Sequence, residues 1–411
     1  MHKLGISVYP EHSTPEKDQA YMETAAGYGF TRIFTCLLSV QKAKEEIITE
    51  FTDFMNRAHA LGYEIAVDTN PDVFKHLGAT PLDLKVFHDM HVDIIRLDGH
   101  FDDFLDRAIT HNEYGIKIEF NGSMDSTIDY LLKHGADPHN VTICHNFYPE
   151  RYSGIGWKLS MNLNEKWKGL GLHTAAFVTS REPNTFGPWP VSAGLPTAEI
   201  HRTKPIDVQL RRMLACELID DILIGNAYAS EAELKAMAAV DLSKTTIRIE
   251  LEKDICAAEK KALFDYPHTG RQDASDYYIR SSLPRFFFKE EAIPERMSEQ
   301  RMFHRGDVVV VNDNLKHYRG EIEILLTDIE NDSERNLVGH IANDDMMILD
   351  EMEKHPEHIF GFIEKKTHPS FVPTLCSTED EAAGQLQGTV CVIHQGYADM
   401  ISFQQEILSD S

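Results

Sequence analysis

Three carboxylic acids, Asp68, Asp98 and Glu119, lie near the ends of short, strand-like runs, on the side opposite the apolar residues. In residues 116–121, Ile118 and Phe120 alternate with Lys117, Glu119 and Asn121. In residues 93–98, Ile95 and Leu97 oppose Arg96 and Asp98, and one run earlier Ile65 and Val67 oppose Ala66, Asp68 and Asn70. Because side chains alternate faces along a strand, each run has one apolar and one polar face. One such strand could turn its polar face to water. Three in succession, separated by helix-length segments, point to parallel strands whose polar side chains face the centre of a closed barrel. Acids and amides at the carboxyl ends of barrel strands mark an active site. Asn121, Asn146 and Tyr148 share this inward face or its upper rim. Two carboxyl groups flanking a bond, one protonated and one ionised, are what glycoside hydrolysis requires. Arg96 and Lys117, read as deeper in their strands, are expected to fill the barrel as ion pairs. Asp98 and Glu119, read as nearer its top, are expected to act.

Positioning these side chains requires a regular scaffold, and the chain has one. Strand-like runs at 4–9, 32–37, 63–68, 94–98, 116–121, 141–146, 172–179 and 222–226 alternate with helical patterns. Within 45–61, Ile47, Ile48, Phe51, Phe54, Met55 and Ala58 form a helical stripe. Gly29, Gly62, Gly135 and Gly171 fall where helices end before the next strand. Eight strand–helix units within about 240 residues predict a (β/α)8 TIM barrel over residues 1–240. An open doubly wound sheet fits less well, since no Gly-rich phosphate loop follows the first strand. From Lys244 the pattern changes to short strands at 246–251, 276–279, 286–288, 308–311 and 321–326 with turn signals between them. A small, mostly β domain is expected at 244–364, followed by a C-terminal extension at 365–411 of unassigned structure.

The composition narrows the ligands. With 66 acidic and 40 basic residues in 411, the formal net charge of −26 opposes binding to nucleic acid or an anionic membrane surface. It leaves room for a small anion held by a few local arginines. The six cysteines form no C-x-x-C pair, as expected of reduced thiols in the cytoplasm. Residues 1–10 read as a strand rather than a secretory signal, and no apolar run reaches the length of a membrane span. Among 21 histidines there is no H-x-H or H-E-x-x-H spacing, so no metal site and no cofactor is expected. His145, out of phase with Asn146, should face a helix. The long segment 180–204, with Phe186 and Trp189, is expected to shape a ligand site. Within it Glu199, His201 and Arg202 precede a helix starting near Pro205, and Arg202 there suits an oxyanion. Arg151, with Tyr148 and Tyr152, offers a second set at the mouth, and Arg280 a more distant one.

Taken together, ISVYPEH, RIFTCLL, RLDGHFDD, IKIEFNGS, CHNFYPERYSG, AAFVTS, FGPWPVSAGLPTAEIHR and IDDILIGNAYAS resemble the barrel motifs of the MupG-like 6-phospho-N-acetylmuramidases. YYIRSSLPRF and FHRGDVVVVNDNLKHYRGEIEILL resemble that family's second domain, a cyclophilin-like β module. The resemblance covers roughly residues 3 to 350. It implies a TIM barrel that cleaves 6-phospho-N-acetylmuramyl-N-acetylglucosamine, a phosphorylated cell-wall disaccharide, during peptidoglycan recycling. It implies Asp68, Asp98 and Glu119 as the acidic residues and Asn121, Asn146, Tyr148, Glu199, His201 and Arg202 as substrate contacts. Phe303-His304-Arg305 matches a cyclophilin catalytic motif but runs into a Gly-Asp turn, so no prolyl isomerase activity is expected. Two rival readings share the residues: a divalent-metal sugar isomerase or epimerase with Asp98, Glu119 and Asn146 as oxygen ligands, and a sugar-phosphate-binding protein without turnover. Homo-oligomerisation is left open.

Overall fold

The structure, a computed structural model, describes residues 2–125, 127–287, 291–298 and 300–365. Eight parallel strands close a barrel in chain order: β1 (Lys3–Ser7), β2 (Arg32–Cys36), β3 (Glu64–Thr69), β4 (Ile94–Leu97), β5 (Lys117–Asn121), β6 (Val141–Cys144), β7 (His173–Val178) and β8 (Asp221–Ile224). β8 pairs back onto β1, with Leu4 opposite Ile222. The α/β architecture expected from the alternating pattern is therefore present. Outward strand residues such as Ile33, Ile65 and Val67 pack under the helices; helix Lys44–Ala60 buries Ile47, Phe51, Phe54, Met55 and Ala58 there. Gly62 and Gly171 have φ of +87° and +76°, the left-handed turn that swings the chain from a helix back into β3 and β7.

The second part is built on a seven-stranded sheet. Its order is His268–Thr269, Ile359–Glu364, Thr245–Leu251, Arg335–Ile341, Asp307–Val311, Ile322–Leu325 and Tyr278–Ser281. Every pairing is antiparallel except that between Ile359–Glu364 and Thr245–Leu251. Of residues 286–288, expected as a strand, Phe288 lies outside the described residues, and Phe286 and Phe287 belong instead to a short helix, Leu283–Phe287. Pro284 sits in its first turn, where the missing N–H costs nothing and the fixed φ favours helix. The C-terminal extension expected from residue 365 lies, past Lys365, outside the described residues.

Barrel and sheet form one compact unit spanning residues 1–365. The reason is helix Ile206–Ala215, all ten of whose residues are buried. Ile206, Leu210, Met213 and Leu214 join the barrel core, while Val208 and Ala215 join the core under the sheet. Its charged groups are paired across the junction. Arg211 donates twice to Asp345, which is fully buried and also accepts the Arg248 backbone N–H at 2.7 Å. Arg212 lies over the Trp157 ring at 4.1 Å and donates to Glu351 at 3.0 Å. Trp157 Nε1 donates to that same carboxylate at 2.7 Å. Removing one partner of a buried pair leaves the other charge uncompensated, at about 3–5 kcal/mol. Asp345→Ala should therefore lower the unfolding free energy from urea titration by an amount in that range, and Arg211→Met in the same chain should restore part of it.

Candidate active site

Parity sends Asp68, Arg96, Asp98, Glu119, Asn121 and Asn146 inward, and the structure brings four of them into contact at the carboxyl end of the barrel. Arg96 is the hub. Its Nη1 donates to Asp68 Oδ1 and, at 3.2 Å, to Asp98 Oδ1, while Nη2 donates to Asn146 Oδ1. Asp68 is buried, whereas 42% of the Asp98 side chain is exposed. Burial is the main cause pushing the Asp68 carboxyl up to about 6; it outweighs Arg96 and is reinforced by the negative charges of Asp98 and Glu119. Two oxygens within hydrogen-bond reach of one nitrogen stand no more than about 6 Å apart. The arrangement thus sets an acid of raised proton affinity beside a carboxyl group open to solvent.

Glu119 does not join this cluster. It pairs in register with Arg96, not with Asp98, and is fully buried. Its Oε2 accepts from Arg32, which also donates at 2.5 Å to Asp221. Arg96 is buried and ion-paired as expected, but Glu119 is sealed against Arg32 rather than open at the top. Lys117 does serve below, bridging at 2.8 Å to Glu64, which Lys3 also holds at 2.7 Å. Arg96, set aside from the sequence as filler, organises the mouth. Its shared parity with Asp98 was the signal.

The other half of the barrel interior is aromatic. Phe34, Phe177 and Phe147 stack edge-to-face with centroids 5.1–5.6 Å apart, and Tyr9 meets Phe34 at 6.5 Å. Phe147 continues to Trp189, which is 38% exposed in the loop after β7. Carboxylates on one side and an aromatic wall on the other suit a sugar ring, whose C–H faces pack on aromatics while its hydroxyls need polar partners.

Glu199 and Arg202 turn out to be a clamp between loops. Arg202 donates to both Glu199 carboxylate oxygens, to Tyr148 O and Glu150 O after β6, and to Ala193 O and Gly194 O after β7. All five of its N–H groups are engaged, so it offers none to an anion. The carbonyls of two tight, buried loops need donors, and Arg202 supplies them. Glu199 also accepts from Tyr152 N at 2.8 Å and Gly154 N at 2.9 Å. A Cβ at Gly154 would come within 2.7 Å of that carboxylate, which explains the glycine. With Arg202 the largest cause and the two N–H groups helping, Glu199 is held at about 2. His201 is buried against Trp157 at 5.1 Å, and burial drops its pKa to about 3, so it is neutral and packed away. Tyr148 packs on the barrel core. Asn121 accepts from Ser123 N at 2.9 Å. His145 faces a helix, as expected, with Nε2 3.0 Å from Asn164 Oδ1. Arg280 lies within 3.4 Å of Asp273, in the sheet. Arg151 is exposed just after β6, and its side chain makes no ion pair or hydrogen bond among the described residues.

Among solved structures, an uncharacterized B. cereus protein is 38% identical, with a TM-score of 0.80 over 88% of this chain and 99% of that one. A conserved Enterococcus faecalis protein of unknown function is 25% identical, with a TM-score of 0.62 over 89% of this chain and 97% of that one. No curated protein matches the chain. The N-terminal model of 6-phospho-N-acetylmuramidase matches residues 4–239, the barrel, and the C-terminal model matches 245–362, the sheet. Matched in order over both parts, this chain belongs to the 6-phospho-N-acetylmuramidase family.

Proposed function

We propose that this chain is a glycosidase that cleaves 6-phospho-N-acetylmuramyl-N-acetylglucosamine in peptidoglycan recycling. The observation that carries the reading is the shared hold of Arg96 on Asp68 and Asp98, one carboxyl shielded and one open. Asp68, protonated below about pH 6, gives its proton to the glycosidic oxygen as that bond breaks. Asp98 attacks the anomeric carbon to form a glycosyl ester, and the aglycone leaves as an alcohol. Water, deprotonated by the Asp68 carboxylate, then attacks the same carbon, frees Asp98 and returns the proton to Asp68. A short carboxyl separation suits this double displacement with retention of configuration. Glu119 acts through its negative charge on Asp68, and Phe147 and Trp189, backed by the buried Phe34 and Phe177, support the sugar. Isomerase chemistry would need the acids to hold a divalent cation; here the Arg96 guanidinium already neutralises them.

Asp68→Asn should lower kcat by about 10²–10⁴-fold, the usual weight of a general acid. In the wild type, ionisation of Asp68 removes the required proton, so kcat/KM should fall as pH rises through about 6. The pH–rate profile of Asp68→Asn should lack that limb; a limb that persists would move the acid to another group. Asp98→Asn with folding intact should remove ester formation, and an unchanged kcat would reject Asp98 as nucleophile.

The phosphate needs a free cation in a strongly acidic chain, and Arg151 is an exposed, unengaged arginine on a loop at the mouth. Charge-assisted hydrogen bonds contribute about 1.5–3 kcal/mol. Arg151→Ala should therefore cut the ratio of kcat/KM for phosphorylated over unphosphorylated disaccharide by at least about tenfold. Arg202→Ala should lower thermal stability and leave that ratio in place.

A further inference from the structure

The segment leading into sheet strand Ile359–Glu364 reads His355-Pro356-Glu357-His358, an H-x-x-H spacing. Proline at its second position favours a tight turn, and the His358 N–H donates to His355 O at 3.2 Å. The turn brings the first and fourth side chains together: the two imidazoles stack at 4.9 Å with 7° between their planes. One nitrogen from each ring and a Glu357 carboxylate oxygen lie within 4.8 Å of one another. Donors bound to one zinc ion at about 2.1 Å are at most about 4.2 Å apart, so the trio closes around an ion once the two rings swing out of their stack to aim their nitrogens at it.

The turn itself is held in place. Thr269 Oγ1 donates to Glu357 O at 2.9 Å, and a Cβ at Gly270 would lie 1.6 Å from Pro356 O. The turn's backbone therefore sits flush against the residue after the edge strand. A second carboxylate stands beside it. Glu217, just past helix Ile206–Ala215, places Oε1 3.1 Å from His358 Nδ1. Glu217 has φ of +54°, a left-handed conformation that glycine or asparagine usually takes at a helix end. This end of the helix feeds β8 from below, at the face opposite the barrel mouth.

We propose that His355, Glu357 and His358 bind a zinc ion, with Glu217 as the outer carboxylate that holds His358. Imidazole nitrogens with a single carboxylate suit zinc rather than magnesium or calcium, which take oxygen donors. Because Glu217 follows the barrel helix and the other three precede the last sheet strand, the ion ties the two parts of the compact unit together. Its role is stabilisation, not chemistry at the mouth.

The test is titration of the full chain with zinc chloride after chelator treatment, by calorimetry and by thermal melting. One saturable equivalent per chain is expected, with a rise in Tm. His355→Ala with His358→Ala should abolish both, and Glu357→Gln alone, at an exposed position, should weaken binding at least about tenfold. Glu217→Gln should weaken it by about 10-fold or more, as outer partners of metal-bound histidines do. Circular dichroism without zinc confirms that each variant is folded. Zinc binding of equal stoichiometry and affinity in the double histidine variant, or no saturable equivalent in the wild type, would overturn the proposal.

Discussion

Two guanidinium groups buried inside the barrel, Arg32 and Arg96, set the terms for everything around them. A charge removed from water must be paired and hydrogen-bonded, or it would unfold its surroundings. Arg32 meets this with Glu119 and Asp221, and Arg96 with Asp68, Asp98 and Asn146. The acids are therefore present first because the arginines need them. Around Arg32 both acids are sealed and spent. Around Arg96 one acid is sealed and the other reaches solvent, and burial raises the proton affinity of the sealed one, Asp68.

Much of this was legible in the sequence, for a physical reason. Strand side chains alternate with a period of two, so parity alone told which residues face the barrel axis. Asp68, Asp98, Glu119 and Asn146 could be grouped without any knowledge of pairing. Height along the axis was not legible. It depends on the stagger between strands and on which way a long side chain reaches, so that Glu119 turns to Arg32 while Arg96, its register partner, reaches Asp98. Phe286 misled for a related reason: aromatic residues favour strands, but Pro284 starts a helix and the local preference for that turn prevails. His355 and His358 escaped notice because their pairing needs a proline turn clamped on Gly270, a tertiary contact with no sequence signature.

Arg202 shows how a residue can be well placed for one role and consumed by another. Long loops over a barrel mouth carry backbone carbonyls that strands cannot satisfy. A planar guanidinium with five donors serves several of them at once, and lysine could not. Anchored to Glu199, it holds the loops after β6 and β7 as one rigid piece, with Trp189 and Tyr152 carried on it. Tyr152, 88% exposed and at φ of +70°, is held in that conformation by the bond from its N–H to Glu199. The rim is thus fixed before any ligand arrives, which spares the ordering cost that a floppy loop would bring to binding.

The division of the barrel interior into a polar and an aromatic half has a consequence for where a ligand lies. Phe34 and Phe177 are sealed and serve as backing, so a sugar ring would lie on the accessible faces of Phe147 and Trp189. The rest of the substrate then extends over the rim, past Trp189 and the loop that bears Arg151. That loop is held through its backbone at Tyr148 and Glu150, so its one exposed guanidinium is positioned without being engaged. In a chain with a net charge of −26, a free cation so near two carboxylates does more than bind an anion. It offsets the surrounding negative potential at the barrel mouth, while burial keeps the Asp68 carboxyl raised against the pull of Arg96.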